Sequence, residues 1–566
     1  GQPLALHCAL HLKLARPAGE SCDADEDLTR LQVFRKRADQ LVECVKADRR
    51  VGVVMADVLR RALTLGSAST DEATAAAATA EKKRLAALFA HRAARTLTAC
   101  ILERILESDE GAEGANDAAG PLPYAAALRV LAAASPELVS PPDDRLRVVA
   151  TLRPHLAIRA SSDRAAKAAD AERVEHLLAV VARALPLSPA VDAGFAEGLA
   201  SELVGLARVS LSKGILRECA RTLGALADKS RVASAKTAGL AQVAFTALRS
   251  LAERLGKTAP GVGQSTSDEV LAQRSLFLAG LLCRYADVHV DSASVDGDKT
   301  RVSIKNLHSL YIKFLRRSPS TIVKRAAMEG IGLVFISRPE VMLEDNMLKM
   351  MSAAMVPGSG VDPNIRMQAL ANLSDFLTEE EQRMAALGEA GSSAPDGALQ
   401  KSAGEGDTGA ASQVVQKLWP RVLAIMTDGR DHVGEDEHRG AALRIAEQPA
   451  RQGLVHPLSV IAQLIALHGD ASAPVAATAH RQLKAYMEGH PDFVETRLGD
   501  GLRLMYELYS ATGIEAVAPS GPQGCTPVAA AAVARVYRLV SPGGRVARHV
   551  FLRTALRPFK FAVGSE

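Results

Sequence analysis

Apolar residues recur along most of the chain with the spacing of one face of an α-helix. Between positions 304 and 315 they form a single stripe at intervals of three and four residues. The Ser318-Pro319 pair interrupts this pattern, and we expect the serine to cap a second helix whose first turn holds the proline. A further apolar face runs up to Arg338-Pro339, so the segment predicts an αα-hairpin of about forty residues with its connections. The first stripe consists of Ile304, Leu307, Tyr311, Phe314 and Leu315.

The same kind of helix pair is predicted at 195–226, around 363–376 and at 454–487. Each pair must bury its apolar face against its neighbours, which favours a continuous superhelix of stacked hairpins. The composition agrees, because 48% of the residues are apolar but only 4% are aromatic, and Ala, Leu and Val suit close helix packing. We therefore predict an all-α fold of the α-solenoid type. Periodicity alone does not distinguish HEAT repeats from armadillo or other α-solenoid repeats.

Segments with few large apolar residues interrupt the helical pattern. Residues 66–80, 108–120 and 385–412 are rich in Gly, Ala, Ser and acidic residues, which predicts flexible loops. Residues 519–527 predict a linker. The expected organisation is divergent helical repeats at 1–190, HEAT-type repeats at 191–384, a flexible linker at 385–412, further repeats at 413–515 and basic helices at 528–566.

Positive charge is concentrated in two segments, although the chain as a whole carries a net charge of only +4. Residues 301–338 contain eight Lys or Arg residues and one acidic residue. Residues 535–560 contain seven basic residues and no acidic residue. The distribution of charge, rather than its sum, therefore points to an anionic partner.

The first basic segment predicts a positively charged helix face. Lys305, Lys313, Arg316 and Arg317 fall within a sector of about 120° on the predicted helix, away from the apolar stripe. Such a face can neutralise backbone phosphates of duplex DNA without reading its sequence. An ordinary solvated helix face explains the same pattern, and the two interpretations stay open. Lys324 and Arg325 on the next helix belong to the same candidate surface.

The second basic segment surrounds a Pro-Gly-Gly turn, so that two helices can present their arginines on one ridge. The candidates are Arg545, Arg548, Arg553 and Arg557. Because aromatic residues are sparse, stacking on single-stranded bases is not expected.

No other motif carries recognisable chemistry. His7, Cys8 and His11 have two imidazoles at a helical spacing, but no further ligand completes a metal site. The glycine-rich run 261–266 lacks the lysine of a phosphate-binding loop. We therefore expect no catalytic residues, no metal and no cofactor. Seven scattered cysteines indicate buried thiols in a reducing compartment, and neither a membrane span nor a signal peptide is predicted.

Four blocks of sequence carry a family resemblance. They are Ser-Leu-Phe-Leu-Ala-Gly-Leu-Leu-Cys-Arg-Tyr at 275–285, Arg-Ala-Ala-Met-Glu-Gly-Ile-Gly-Leu-Val-Phe-Ile-Ser-Arg-Pro at 325–339, Ile-Arg-Met-Gln-Ala-Leu-Ala-Asn-Leu-Ser-Asp-Phe-Leu-Thr-Glu-Glu-Glu at 365–381, and Arg-Gln-Gly-Leu-Val-His-Pro at 451–457. The sequences of these blocks and their order along the chain resemble the C-terminal HEAT-repeat region of the Nipped-B family, the large subunits of cohesin loaders. The resemblance is clear over 195–509 and fainter on both sides.

The resemblance implies a specific function. Members of this family are hook-shaped HEAT solenoids that clamp double-stranded DNA against the ATPase heads of the cohesin SMC ring and contact its kleisin subunit. They stimulate ATP hydrolysis by cohesin without being enzymes, and they act on chromatin in the nucleus. A TPR-type partner binds the N-terminal segment of the loader, which we expect to be absent from this chain. The chain therefore resembles a loader fragment.

Three single residues near the matching blocks have expected roles, and the resemblance includes two departures. Arg274 and Arg284 flank the first block, where guanidinium groups either hold neighbouring repeats together, the favoured interpretation, or contact a partner. His456 is expected to form a turn with Pro457 rather than to act as a base. Pro449 stands where the family has an uninterrupted helix, and an interior proline should kink or end it. The turn at 541–548 carries fewer basic residues than the arginine-rich element of the family.

The alternative is a generic α-solenoid adaptor of the transport-receptor or phosphatase-scaffold type. Such adaptors use grooves lined by acidic residues or by tryptophans, whereas Trp419 is the only tryptophan of this chain. The matching blocks favour the loader.

Overall fold

The computed structural model describes residues 98–106, 122–134, 136–139, 146–159, 163–188, 190–257, 265–286, 302–392, 408–428, 435–452, 454–512, 527–540 and 544–556. All regular elements in these ranges are helices, and they contain no strand. The chain divides into two compact units, residues 1–243 with 285–288, and residues 244–284 with 289–566.

The first unit contains short helices followed by longer ones. In order they are α1 (Leu122–Ala134), α2 (Pro136–Val139), α3 (Arg147–Leu152), α4 (Arg164–Ala184), α5 (Ala193–Val209), α6 (Lys213–Ala227) and the start of α7 (Arg231–Lys257).

Side-chain caps explain where the helices of this unit begin. The Asp163 carboxylate accepts the backbone N–H groups of Ala165 and Ala166 at the start of α4, each at 3.1 Å. Asp192 caps α5 in the same way, and Ser212 caps α6. Helix α4 then packs between α1 and α6. Caps of this kind satisfy N–H groups that have no partner within the helix.

The second unit contains the rest of α7 and the remaining helices. They are α8 (Thr266–Tyr285), α9 (Ile304–Arg317), α10 (Thr321–Ser337), α11 (Pro339–Met342), α12 (Asp345–Ala354), α13 (Pro363–Ser392), α14 (Thr408–Met426), α15 (Glu435–Arg451), α16 (Leu458–Leu467), α17 (Ala473–Gly489), α18 (Pro491–Thr512), α19 (Pro527–Val540) and α20 (Gly544–Leu556).

The helices of the second unit are joined by buried polar contacts as well as by apolar packing. The Tyr311 hydroxyl on α9 donates to the Leu276 carbonyl on α8 at 2.7 Å. The Asn372 amide on α13 donates to the Met328 carbonyl on α10 at 2.7 Å. Because a buried carbonyl without a partner is costly, these bonds hold the helices in one register.

Three of the four predicted hairpins are present, whereas residues 363–376 lie within the single long helix α13 (Pro363–Ser392). Helices α9 and α10 form the hairpin expected after position 304, and α10 ends before Arg338 as predicted. Helices α5 and α6, and α16 and α17, form two further pairs. The predicted all-α class is therefore confirmed for the described residues.

The capping role predicted for Ser318 and Pro319 is wrong. The Ser318 backbone N–H donates to the Phe314 carbonyl, so this residue ends α9. Its hydroxyl accepts the Ser320 N–H at 3.2 Å, and α10 begins only at Thr321. Pro319 thus lies in the connection between the helices and not in the first turn of α10.

Two further expectations are corrected by the helix ends. The predicted linker 385–412 is shorter on both sides, because α13 continues to Ser392 and α14 begins at Thr408. Pro449 does not break α15 at once, since the helix continues to Arg451. The proline lies two residues from that end, and its carbonyl accepts the Leu454 N–H. A proline at this position has no N–H to donate to the Ile445 carbonyl and crowds the preceding turn, and the helix ends two residues after it.

Candidate functional site

Helix α9 carries the first basic segment, and its buried face fixes the direction of the basic one. Leu307, Tyr311 and Phe314 are buried, as the apolar stripe predicts. Ser303 caps the helix by accepting the Asn306 N–H at 3.1 Å. The opposite face consequently points away from the core of the unit.

The six cations of this segment that were predicted to contact DNA are accessible. Lys305, Arg316, Arg317 and Arg325 are exposed, and Lys313 and Lys324 are half-buried. Within the part of the chain that the structure describes, none of the six forms an ion pair within 4.0 Å. Charged side chains elsewhere in the protein are neutralised by a partner of opposite charge. Glu202 on α5, for example, accepts hydrogen bonds from Arg153 Nε and Nη2 at 3.1 and 2.6 Å. The α9–α10 face lacks this compensation.

Lys313 and Arg317 lie over the last turn of α7. A Cβ atom placed on Gly256 would be 3.7 Å from Lys313 Nζ and 3.9 Å from Arg317 Nη1. The carbonyl end of a helix carries partial negative charge, so these cations also stabilise the end of α7. Exposed Lys257 adds a further positive charge at this end. The α7 terminus therefore extends the basic surface beyond the predicted residues.

Arg316 and Lys324 occupy a different place. Both line a cleft of about 660 Å³ between α9, α10, α12 and the start of α13, where Lys349 on α12 joins them. The predicted face is thus divided into an outer part, with Lys305, Lys313 and Arg317, and a part that lines the cleft.

The second basic segment lies on α19 and α20. Phe551 on α20 is buried and contacts Tyr537 on α19 edge-to-face, with 5.2 Å between the ring centroids. Arg548 and Arg553 are exposed on the same helix. Arg557 and the side chain of Arg545 lie outside the described residues, so the predicted ridge is defined at two of its four positions.

The residues expected to hold repeats together have ordinary structural contacts. The Arg284 guanidinium on α8 forms an ion pair with Glu379 on α13 at 2.7 Å. Arg274 is half-buried, and this burial lowers the pKa of its guanidinium from the usual value. His456 is exposed, accepts the Leu458 N–H at its Nδ1 atom and precedes α16.

No geometry among the described residues suggests catalysis. They contain no group of three or more His, Cys, Asp or Glu residues that could hold a metal ion. Cys219 and Cys283 are buried as predicted, and burial raises the pKa of the Cys283 thiol to about 12, so it is not a nucleophile at neutral pH. None of the helices in the described ranges is both long and apolar enough to cross a membrane. His7, Cys8, His11 and residues 261–264 lie outside the described residues.

Sequence reasoning missed a group of histidines and charged residues near the start of α17. His468 is buried and its Nε2 atom lies 2.8 Å from Nδ1 of His480. Nearby, Arg439 forms a buried bidentate ion pair with Asp470, at 2.7 and 3.1 Å. The only sequence signal was a set of isolated polar residues in apolar surroundings. Such a signal does not reveal which of these side chains form a hydrogen bond or an ion pair with each other.

Comparison with known proteins identifies relatives of the chain. Residues 411–566 match the family model described as "Sister chromatid cohesion C-terminus". The Nipped-B-like protein of Mus musculus is 24% identical over 293 residues, which are 52% of this chain and 10% of that protein. The Nipped-B protein of Drosophila melanogaster is 24% identical over 387 residues, which are 67% of this chain and 17% of that protein. The chain spans less than a fifth of the length of these two relatives.

A solved structure shows the same fold. The C-terminal fragment of the Chaetomium thermophilum cohesin loader SCC2 matches 99% of this chain and 38% of its own length, with a TM-score of 0.65 and 17% sequence identity. This likeness confirms the α-solenoid class. The family-model match and the two Nipped-B relatives confirm, at the level of sequence, the resemblance predicted from the four blocks.

Proposed function

We propose that the chain is the C-terminal region of a cohesin loader of the Nipped-B family, and that its basic surfaces hold double-stranded DNA against the ATPase heads of cohesin. In this proposal the chain contacts the kleisin subunit, stimulates ATP hydrolysis by cohesin and acts on chromatin in the nucleus. It is a scaffold and not the ATPase. Binding of the TPR-type partner belongs to the N-terminal part of the loader.

The observation that carries the DNA contact is the unneutralised basic surface of α9 and α10. Its cations are exposed or half-buried, they face away from the core, and none is paired with a carboxylate in the described ranges. Cations of this kind can replace the counterions that condense on a DNA backbone, which gives binding that is independent of sequence and sensitive to salt. Arg548 and Arg553 on α20 are exposed and offer a second positively charged surface.

The adaptor alternative receives no support from the tryptophan. Trp419 is buried, and its indole N–H donates to the Ser459 hydroxyl at 3.0 Å. The ring is therefore used inside the unit and does not line a groove for a peptide ligand.

The test is ATP hydrolysis by cohesin, with and without duplex DNA, in the presence of the full-length loader. The variant Lys305→Glu/Lys313→Glu/Arg317→Glu should lose most DNA-dependent stimulation and bind DNA more weakly. The slope of log affinity against log salt should fall by about one for each phosphate that is no longer neutralised. The matched control reverses three exposed cations of the first unit, Arg208, Arg217 and Arg231.

The experiment distinguishes a failure of the proposed DNA contact from a failure of the proposed loader mechanism. If the variant binds DNA with the wild-type affinity and salt slope, the α9–α10 surface is not the DNA contact. If the full-length loader itself gives no stimulation of the ATPase, the loader mechanism is wrong for this chain and the adaptor class becomes the better explanation.

A further inference from the structure

The cleft between α9, α10, α12 and α13 combines an apolar floor with a positive rim. We call the more buried apolar part of its lining the floor; it includes Met328, Met350 and Ile365, and Ala353 and Ala354 of α12 also line the cleft. Its volume of about 660 Å³ is within the range in which proteins hold small ligands or a few side chains of a peptide. Methionines are unbranched and polarizable, so such a floor adapts to more than one apolar side chain.

The rim carries more positive than negative charge. Arg316, Lys324 and Lys349 line the cleft, and each of them lacks an ion-pair partner among the described residues. Asp362 is the one acidic residue of the lining, and its carboxylate already accepts the Asn364 N–H at 2.8 Å at the start of α13. The excess positive charge is therefore available to an anionic ligand.

The start of α10 adds to this positive character. Thr321, the first residue of the helix, lines the cleft, and the N-cap residue Ser320 makes no side-chain capping bond. The first N–H groups of a helix lack internal partners, and the helix N-terminus carries partial positive charge. The N-terminus of α10 lies one turn from Lys324 on the same helix. The helix terminus and the Lys324 side chain therefore both favour a negatively charged ligand.

The shape and chemistry of the cleft distinguish its ligand from DNA. A DNA backbone needs cations on an accessible ridge, and it has no apolar group that would use a methionine floor. A peptide with carboxylates beside an aliphatic side chain matches both the rim and the floor. The outer part, Lys305, Lys313 and Arg317, does not line this cleft and stays the proposed DNA contact.

We propose that this cleft is a docking site for an acidic peptide segment of a partner protein, which inserts a leucine-like side chain between Met328, Met350 and Ile365 while its carboxylates meet Arg316, Lys324 and Lys349. The site acts independently of the DNA surface. It gives one stretch of sequence, 301–338, contacts with two chemically different ligands.

The test uses fluorescence anisotropy with the full-length protein and a fluorescein-labelled peptide that has two leucines within a run of aspartates and glutamates. Lys349→Glu should weaken binding at least about tenfold by reversing a rim charge. Ala353→Trp should weaken it by a similar factor because the indole fills the cleft, and Ala353 is exposed enough to accept it. The matched controls are Lys417→Glu on α14 and Ala235→Trp on α7, which change exposed residues elsewhere and should bind the peptide normally.

Three results would overturn the proposal. A peptide of glutamates alone that binds as tightly as the leucine-bearing peptide would show attraction without use of the floor. Equal binding by wild type and both cleft variants would place the peptide elsewhere. Loss of DNA affinity in Ala353→Trp, with full displacement of the peptide by duplex DNA, would assign the cleft to nucleic acid. None of these results depends on whether Lys305, Lys313 and Arg317 bind DNA.

Discussion

Gly280 and Gly330 show how one atom controls the packing of two helices. A Cβ atom on Gly280 of α8 would lie 2.7 Å from the Gly330 carbonyl oxygen on α10. A Cβ atom on Gly330 would in turn lie 2.5 Å from a ring carbon of Tyr311. Because the obstacles include backbone and a buried ring, the helices must separate to admit a methyl group.

Gly280→Ala should therefore lower the free energy of unfolding by about 1–3 kcal/mol, the usual cost of overpacking. The matched control is Gly239→Ala on α7, where nothing lies within 4 Å of the new Cβ atom. At that position alanine should stabilise the helix by up to about 1 kcal/mol. The midpoints of chemical unfolding measure both changes, and a shift of equal sign in the two variants would contradict the packing argument.

His468 is the residue whose charge state should affect stability most directly. Burial lowers the pKa of its imidazole to about 4, with further contributions from His480 and Arg535. Because the pKa in the folded state is below the unfolded value, the native form prefers the neutral ring. The stabilisation is then complete above about pH 6.5 and is lost as the pH falls towards 4.

His468→Gln should consequently flatten the dependence of the unfolding midpoint on pH between these two values. His549→Gln, at an exposed histidine of α20, should leave the dependence as it is in the wild type. His468 and His480 line a cavity whose other charged residues are Asp470, Lys484, Arg535 and Arg538, so the comparison is made at constant ionic strength. Parallel curves for the wild type and His468→Gln would show that another group titrates.

At the scale of elements, the helices could be predicted but their junctions could not. The apolar period of 304–315 was sufficient to predict α9 and its buried face. The role of Ser318 was not predictable, because it depends on whether its N–H group closes α9 or its hydroxyl caps α10. Both uses are compatible with the same Ser-Pro pair. Pro449 shows the same limit, since its effect depends on how near the helix ends.

The ion pair between Arg439 and Asp470 joins α15 to the turn between α16 and α17. The Asp470 carboxylate also accepts the Ser472 N–H at 2.8 Å, so it orders the start of α17. Both side chains are almost fully buried, at 8% and 1% exposure. A buried charge that loses its partner is strongly destabilising, whereas an apolar replacement of the whole pair is often tolerated.

Asp470→Leu should thus lower the free energy of unfolding by about 3–5 kcal/mol, because it leaves the Arg439 guanidinium buried without its carboxylate. The double variant Arg439→Met/Asp470→Leu should regain part of this stability, since no unpaired charge is left. Chemical unfolding of the two single variants and the double variant completes a mutant cycle. Additive effects of the two substitutions would mean that the residues do not stabilise the fold as a pair.

At the scale of the molecule, the α-solenoid class could be predicted from the apolar period and the resemblance to the Nipped-B family from four sequence blocks. The division of the basic surface into two parts could not be predicted. Arg316 and Arg317 are adjacent in sequence, yet one lines the cleft and the other lies over the end of α7. Lys349 completes the cleft from a helix outside the basic segment. Only the packing of four helices brings these cations together, so a count of charges along the chain cannot separate two surfaces.

The proposed DNA contact raises a final question, which is whether the α9–α10 and α20 surfaces hold the same duplex. Arg548→Glu/Arg553→Glu should reduce the slope of log affinity against log salt by about one for each phosphate that these arginines neutralise in the wild type. If a single duplex meets both surfaces, combining this change with Lys305→Glu/Lys313→Glu/Arg317→Glu should give the sum of the two reductions. A short duplex that reaches only one surface should respond to only one set of substitutions. If the α20 variant behaves like the wild type on duplexes of every length, then α20 does not bind DNA and the α9–α10 surface acts alone.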